Sequence, residues 1–253
     1  MSTASLSRLT LAHAKTNVLE FVREPIAIVG TTVFPSLALL FFVVPQSSIA
    51  DDPVAATGAA AQLGALAVMS VCLFAFGAGI AEDRARPFDA YLRTLPAGPL
   101  PQVLGRIGNG VILSVLGLIP ITIIAGLLTE ARLAPERLLL TLAMLIVGAV
   151  PLLLIGFAVG YSLRQKSAIA VAQLLFFLLA FGGGMFIPPE TFPTWLDAIS
   201  QALPSRAARD VVVWAVGSGD LGLSTVASLA GWTAAGTLIT LWAFRRDEGR
   251  RFR

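Results

Sequence analysis

The side chains that carry out chemistry in most enzymes are scarce in this sequence. It has one histidine, His13, and one cysteine, Cys72, so a zinc site built from these residue types would lack ligands. Neither lysine, Lys15 or Lys166, lies in a Gly-x4-Gly-Lys-Ser/Thr phosphate-binding loop, and no Gly-x-Ser-x-Gly nucleophile elbow is present. The adjacent acids at 51–52 and 82–83 have no histidine nearby. We therefore predict no catalytic, cofactor-binding or metal-binding residue in this chain.

The composition points to lipid as the solvent. Of the 253 residues, 56% are hydrophobic and 13% charged, with a mean hydropathy of +0.82, whereas soluble domains are about 25% charged. A soluble chain of this length would not bury so much apolar surface. The formal net charge of +3 comes from short clusters between apolar runs, a pattern of membrane topology rather than of nucleic-acid binding. We predict an all-α integral membrane protein with no nucleic-acid partner.

Six apolar stretches approach or exceed the ~20 residues that a helix needs to cross a bilayer. They are residues 25–44, 59–81, 107–128, 138–161, 168–187 and 222–244. An open sheet would leave its backbone unpaired in lipid, so these stretches are predicted to be helices of one transmembrane domain, residues 1–253. In the fourth span, Gly156 and Gly160 form a Gly-x-x-x-Gly pair that permits close helix contact.

The basic residues predict the orientation of the spans. With six spans and a cytoplasmic N-terminus, four of the 18 basic residues fall on the outer side: Arg132, Arg137, Arg206 and Arg209. Basic residues near span ends are retained in the cytoplasm, so we expect both termini to be cytoplasmic. Residues 1–24 are too polar to cross, and Leu11, Val18 and Val22 recur at helical spacing. This segment is predicted to be an interfacial helix, with a disordered tail as the alternative.

The longest inner loop, residues 81–96, has the sequence signals of a short helix. Pro87 suits a first helical position, and Asp89 suits an acidic first turn. Arg93 suits the last turn and Pro96 a stop. Three apolar residues then share one face: Phe88, Leu92 and Leu95. Such a helix would dock in a groove of another protein or, alternatively, lie back on the membrane or on neighbouring helices.

The last outer segment, residues 188–221, is predicted to hold two interfacial or re-entrant helices before the final span. The first presents an apolar face, and the second, around Val211–Trp214, is too short to span. They would form a lid over the outer mouth or merely cap the bundle. A glycine run at the end of the fifth span is interpreted as flexible packing. The candidate outer-gate or re-entrant residues are Gly182, Gly183, Gly184, Met185, Phe186, Trp195, Ile199 and Leu203.

Three motifs carry a family resemblance. Val22-Arg-Glu-Pro25 resembles the Arg-Asp-Pro signature that opens a first span, with Glu24 in place of Asp. Residues 82–106 resemble the loop E-R-x-x-G-T-L-E-x-L-x-x-x-P…G-K, with Pro87 in the Gly-Thr region and Arg106 in place of Lys. Residues 188–210 resemble the outer segment P…L-P-x-W-L…P…A-x-D, the most specific match. With these motifs the chain resembles the permease subunit of an ABC-2-type exporter, including bacterial drug-resistance permeases of the daunorubicin type.

The resemblance implies a permease of the bacterial plasma membrane that pairs with a second copy or a sister permease. Two copies of a separate cytoplasmic ATPase would hold ATP and Mg²⁺, so this chain itself needs no cofactor. Residues 1–24 would be a connecting helix beside a coupling helix. The implied ATPase-coupling residues are Glu82, Asp83, Arg84, Arg86, Phe88, Asp89, Leu92, Arg93 and Leu95.

The spans carry no charged residue in their interiors, which favours an energy source outside the chain. A charge in mid-membrane costs at least about 2.5–3.5 kcal/mol and is usually kept for function. The sequence has only two tyrosines, Tyr91 and Tyr161, and neither lies in mid-span. This favours an amphipathic or lipophilic substrate over a polysaccharide or glycolipid, which is the alternative. A secondary carrier and a non-transporting scaffold are less favoured.

Overall fold

The computed structural model describes residues 33–86 and 100–249, and every regular element in those residues is helical. This confirms the predicted all-α class. The helices are α1 (Val33–Val43), α2 (Ser47–Ala50), α3 (Pro53–Asp83), α4 (Leu100–Leu128), α5 (Pro135–Ser162), α6 (Gln165–Gly182), α7 (Thr194–Gln201), α8 (Pro204–Val216) and α9 (Leu223–Gly249), with a 3-10 turn at Pro189–Thr191. Two π-helical turns occur, Leu39–Val43 at the end of α1 and Phe74–Ala78 within α3.

Within those residues, five helices are long and apolar enough to cross a membrane: α3, α4, α5, α6 and α9. The described part of the predicted first span is α1, which is apolar but too short to cross by itself. The six-span count therefore stays a prediction. The predicted interfacial helix 1–24 and both chain ends lie outside the described residues, so their cytoplasmic location also stays a prediction.

Several helices are longer than the apolar runs from which they were predicted. α3 begins at Pro53, because the Asp52 carboxylate accepts hydrogen bonds from the backbone N–H groups of Val54 (2.8 Å) and Ala55 (3.1 Å). α4, α5 and α9 also exceed their predicted lengths. The predicted end of the fifth span at residue 187 is wrong, since α6 ends at Gly182 and the chain turns. Gly184 has a φ of +72°, which favours glycine.

The buried centre of the bundle is α3. In its most apolar stretch 78% of the residues are buried, against 11–28% in the other four long helices. Leu66, Met69 and Leu73 of α3 are fully buried in a cluster shared with α1, α4, α5, α6 and α8. The other long helices turn most of their apolar side chains outward, as expected where lipid is the surrounding solvent.

The Gly-x-x-x-Gly pair of α5 packs against the π-helical turn of α3. A Cβ atom on Gly156 would overlap the carbonyl of Cys72, and one on Gly160 would lie 2.6 Å from the Phe76 carbonyl oxygen. The predicted close helix contact is therefore confirmed, and its partner is the turn Phe74–Ala78.

Helix α8 runs back into the bundle. We call the end of the bundle that holds Asp52 and Pro135 the outer end, following the predicted orientation. Ala208 lies against Gly148, about 20 Å along α5 from its outer end at 1.5 Å per residue. At the other end of α8, Gly217 lies against the guanidinium of Arg137. α8 therefore has the predicted re-entrant path, and the apolar piece around Val211–Trp214 is part of this longer buried helix.

Candidate functional site

Four of the predicted coupling residues lie at the inner end of α3. Glu82 and Asp83 are in its last turn, and Arg84 and Arg86 follow directly. The remaining predicted coupling residues lie outside the described residues: Phe88, Asp89, Leu92, Arg93 and Leu95. The structure thus places the residues that lead into the predicted coupling segment.

Arg84 joins three helices at this end. Its Nη1 donates to the carbonyl oxygens of Gly160 (2.6 Å) and Leu163 (3.3 Å), at the C-terminus of α5 where carbonyls lack helical partners. Its Nη2 forms an ion pair with Asp247 of α9. Asp247 is buried, with 7% of its surface exposed. Arg84 therefore fastens α3 to both α5 and α9.

A second ion pair ties the same end of α3 to α4. Asp83 lies 2.7 Å from the Arg106 guanidinium, whose side chain is largely buried. Arg86 instead pairs within its own segment, with Glu82 (3.2 Å) and Asp83 (3.6 Å). The ion pair between Asp83 and Arg106 therefore joins the inner end of α3 to α4.

A cavity of about 160 Å³ lies between α1, α3 and α6. The rings of Phe74 and Phe176 stand 5.5 Å apart, and those of Phe34 and Phe176 stand 6.2 Å apart. Two polar side chains, Ser70 and Gln173, join the apolar lining. The complete lining is Phe34, Pro35, Ser70, Phe74, Gln173, Phe176 and Phe177. Sequence analysis missed these residues, although a glutamine among apolar residues in a span was an available signal.

The outer end of α3 carries a different polar contact. The Gln62 amide nitrogen donates to the Met185 carbonyl oxygen (3.1 Å), and its amide oxygen accepts from Arg209 Nε (2.9 Å). Arg209 is buried, as is Asp247, and both lie outside the six predicted spans, whose interiors carry no charged residue. Both side chains tolerate burial because each has a charged partner.

Most charges at the outer end pair within the re-entrant segment itself. Arg206 contacts Asp197 (3.1 Å) and Asp210 (2.8 Å), and Arg209 contacts Asp210 (2.8 Å) and the exposed Glu190 (3.6 Å). These pairs bind α7, α8 and the 3-10 turn into one unit.

The predicted outer-gate residues divide into a packed group and an exposed group. Met185 is fully buried and Phe186 contacts the ring of Phe34 at 5.8 Å, whereas Trp195 and Ile199 on α7 are exposed. Leu203 packs against the bundle.

The glycine run was interpreted as flexible packing; the structure shows the packing, and the flexibility stays a prediction. A Cβ on Gly183 would overlap the hydroxyl of Ser205, and one on Gly182 would lie 2.8 Å from Leu203 Cδ1. At Gly183 the absence of a side chain allows close approach of α8. A gating role for these residues stays a prediction.

Among the residues that the structure describes, no three His, Cys, Asp or Glu side chains are grouped so that they could hold a metal ion. The chemistry available at both ends of α3 is therefore ion pairing and hydrogen bonding.

A bundle of apolar helices around one buried helix, with a re-entrant segment at one end, defines a multi-pass membrane protein. The sequence profile of the family described as "ABC-2 type transporter" matches residues 8–216, and the chain belongs to this family. Its place is the bacterial plasma membrane.

The chain is also similar to a Bacillus subtilis (strain 168) protein named "Putative transport permease YvfS". The two are 25% identical over 138 residues, which cover 54% of this chain and 56% of that protein. The chain thus spans about half the length of the relative that it matches.

Proposed function

We propose that this chain is the permease subunit of an ATP-driven exporter for an amphipathic or lipophilic compound. The compound, a drug, an antibiotic or a lipid, would leave the cytoplasm or the inner leaflet. Two copies of a separate cytoplasmic ATPase would power the transport, and a second copy of this chain or a sister permease would complete the pathway. Family membership supports the assembly.

The cavity between α1, α3 and α6 is the observation that supports an amphipathic or lipophilic substrate. Its phenylalanine rings offer apolar contact area, while Gln173 supplies an amide that can form hydrogen bonds. Binding sites for small molecules have this composition, since apolar walls give affinity and a few polar groups fix orientation. Such a lining suits a compound with a large apolar part and a small polar part.

The size of the cavity supports a two-permease site. Its volume of about 160 Å³ is below the 300–1,000 Å³ of typical ligand pockets. Phe34 and Phe177 remain 41% exposed beside it, so the cavity borders a surface that another subunit would cover. We infer that one chain supplies about half of the substrate site.

The test is substrate-stimulated ATP hydrolysis by the purified complex in nanodiscs. Amphipathic drugs and fluorescent lipids are compared with lipid-linked glycans, the substrates of the alternative exporter class. We expect stimulation by the drugs or lipids and none by the glycans. Stimulation by the glycans alone would replace our proposal with the alternative.

A matched pair of substitutions tests the cavity. Phe176→Ala removes a ring from the lining, and we expect the concentration of drug for half-maximal stimulation to rise at least tenfold. Leu178→Ala is the control, because Leu178 lies on the same helix, is exposed, and does not line the cavity. Equal responses of both variants to every drug would remove the cavity from the substrate pathway.

A further inference from the structure

We propose that Asp247 and Arg84 are positioning residues for coupling, and that their ion pair holds the inner end of α3 in register with α5 and α9. The inference rests on the proposed function, because coupling presupposes a partner ATPase. Its structural basis is the junction of three helices at one guanidinium.

Burial distinguishes this pair from ordinary surface ion pairs. The Asp247 side chain is 7% exposed and the Arg84 side chain 20% exposed. By contrast, Arg132 and Glu130 form a 2.8 Å pair with side chains 78% and 52% exposed. A pair that is shielded from water and salt keeps more of its attraction, and moving one partner leaves the other charge poorly solvated. The buried pair therefore resists separation of α3 from α9.

The guanidinium of Arg84 gives the junction a defined orientation. Its fork reaches the carboxylate of Asp247 and two backbone carbonyls of α5 at once. A planar group with several partners fixes direction as well as distance. The chain direction at Arg84 is thus set by α5 and α9 together.

The same segment connects the junction to the cavity. Phe74, in the cavity wall, lies about 15 Å from Arg84 at the rise of a helix. The π-helical turn Phe74–Ala78 lies between them, and such turns are frequent at functional sites. A tilt of the inner part of α3, held or released at Arg84, would move Phe74. The ion pair is therefore placed to relate the position of the inner end of α3 to the shape of the cavity.

The first test measures transport and ATP hydrolysis together in vesicles that hold the permease and its ATPase. Asp247→Asn removes the charge with little change in size. We expect transported substrate per ATP to fall at least tenfold, with the amount of assembled complex unchanged. Asp247→Glu, which keeps the charge, should restore at least a third of the native ratio. Arg132→Gln, in the exposed pair, should leave the ratio within twofold of native.

The second test is independent of transport. Spin labels on cysteines at the exposed positions Ala85 and Arg245, in a Cys72→Ser background, report the distance between the ends of α3 and α9 in the full-length chain. We expect one narrow distance distribution with the native pair and a broadened or shifted one with Asp247→Asn. Arg132→Gln should leave the distribution narrow.

The outcomes separate the two proposals. A native complex without ATP-driven transport of any probe contradicts the proposed function, and the distance distribution alone then decides whether the ion pair positions α3. An unchanged distribution in Asp247→Asn overturns the positioning role. A fall in transport and hydrolysis in equal proportion, with less assembled complex, also overturns it in favour of a structural role.

Discussion

Buried charges lie near both ends of α3, but they are connected to this helix differently. At the outer end, Arg206, Arg209 and Asp210 pair within the re-entrant segment, and the group of α3 that contacts these charges is the neutral amide of Gln62. At the inner end, charged groups on α3 pair directly with other long helices, Arg84 with Asp247 of α9 and Asp83 with Arg106 of α4.

This difference indicates which parts move as units. The outer charges hold α7 and α8 together, and apolar packing and uncharged hydrogen bonds hold that segment against α3. Movement of the inner end requires the separation of buried opposite charges, which costs more. We infer that the outer segment moves as one body, whereas the inner end of α3 moves only when a partner supplies work.

Removing the central outer carboxylate should have the largest effect. Asp210→Ala deprives two arginines, Arg206 and Arg209, of a shared partner, and each has at most 15% of its side chain exposed. Loss of one partner of a buried pair costs about 3–5 kcal/mol. We expect the free energy of unfolding in detergent to fall by that amount, measured by denaturant titration. Arg132→Ala is the control at an exposed pair and should cost less than about 1 kcal/mol.

A loss below about 1 kcal/mol in Asp210→Ala would contradict the view that the outer segment is held together by its own charges. Both ends of α3 would then be held mainly by contacts between long helices.

A pair of glycine substitutions compares packing at the two ends. A Cβ on Gly160 would meet backbone atoms of α3, including the Phe76 carbonyl oxygen at 2.6 Å and the Gly77 carbonyl oxygen at 3.0 Å. Backbone cannot yield easily, so we expect Gly160→Ala to cost about 1–3 kcal/mol as an overpacked contact. Gly182→Ala meets only the end of the Leu203 side chain and should cost less.

Thermal unfolding of both variants in the same detergent checks this ranking. Gly108→Ala is the control, since a Cβ there meets no atom within 4 Å. If Gly182→Ala proved the more destabilising of the two, the outer contact would be the rigid one.

The smallest of the three losses of stability is expected when the Gln62 side-chain amide is replaced. Gln62→Leu removes the hydrogen bonds to Met185 and Arg209 but keeps the charge pairs of α8. We expect a stability loss of about 1–2 kcal/mol from the groups left unpaired. Hydrogen exchange should speed up in residues 185–210 and stay unchanged at the inner end of α3. Faster exchange at both ends would show that the two networks are not independent.

Local signals in the sequence predicted where the helices lie. They did not predict which residues of different helices contact each other. Apolar length located the long helices, because a span must be about 20 residues. The residues around Val211 were predicted to form a short apolar piece. The hydrophobic pattern of the sequence does not show that Arg209 is paired inside the bundle. The pairs Arg84–Asp247 and Gln62–Arg209 join residues far apart in the chain, and a single sequence carries no signal for such pairing.

The sequence predicted that two glycines would allow close packing between helices, but not which segment they would contact. The spacing of Gly156 and Gly160 indicated a close helix contact, and the structure supplies the π-helical turn of α3 as the partner. The glycine run at 182–184 was also predicted to pack, and the structure supplies the partner of Gly183, which is Ser205 in the re-entrant helix. The predicted flexibility of the run stays a prediction.

We propose that this chain transports only when an external ATPase drives it. The direct measurement is accumulation of an amphipathic probe in vesicles that contain the chain with or without the ATPase, each with ATP or with an imposed proton gradient. We predict concentrative uptake only with the ATPase and ATP present. Concentrative uptake by the chain alone, driven by the proton gradient, would instead make this chain a secondary carrier.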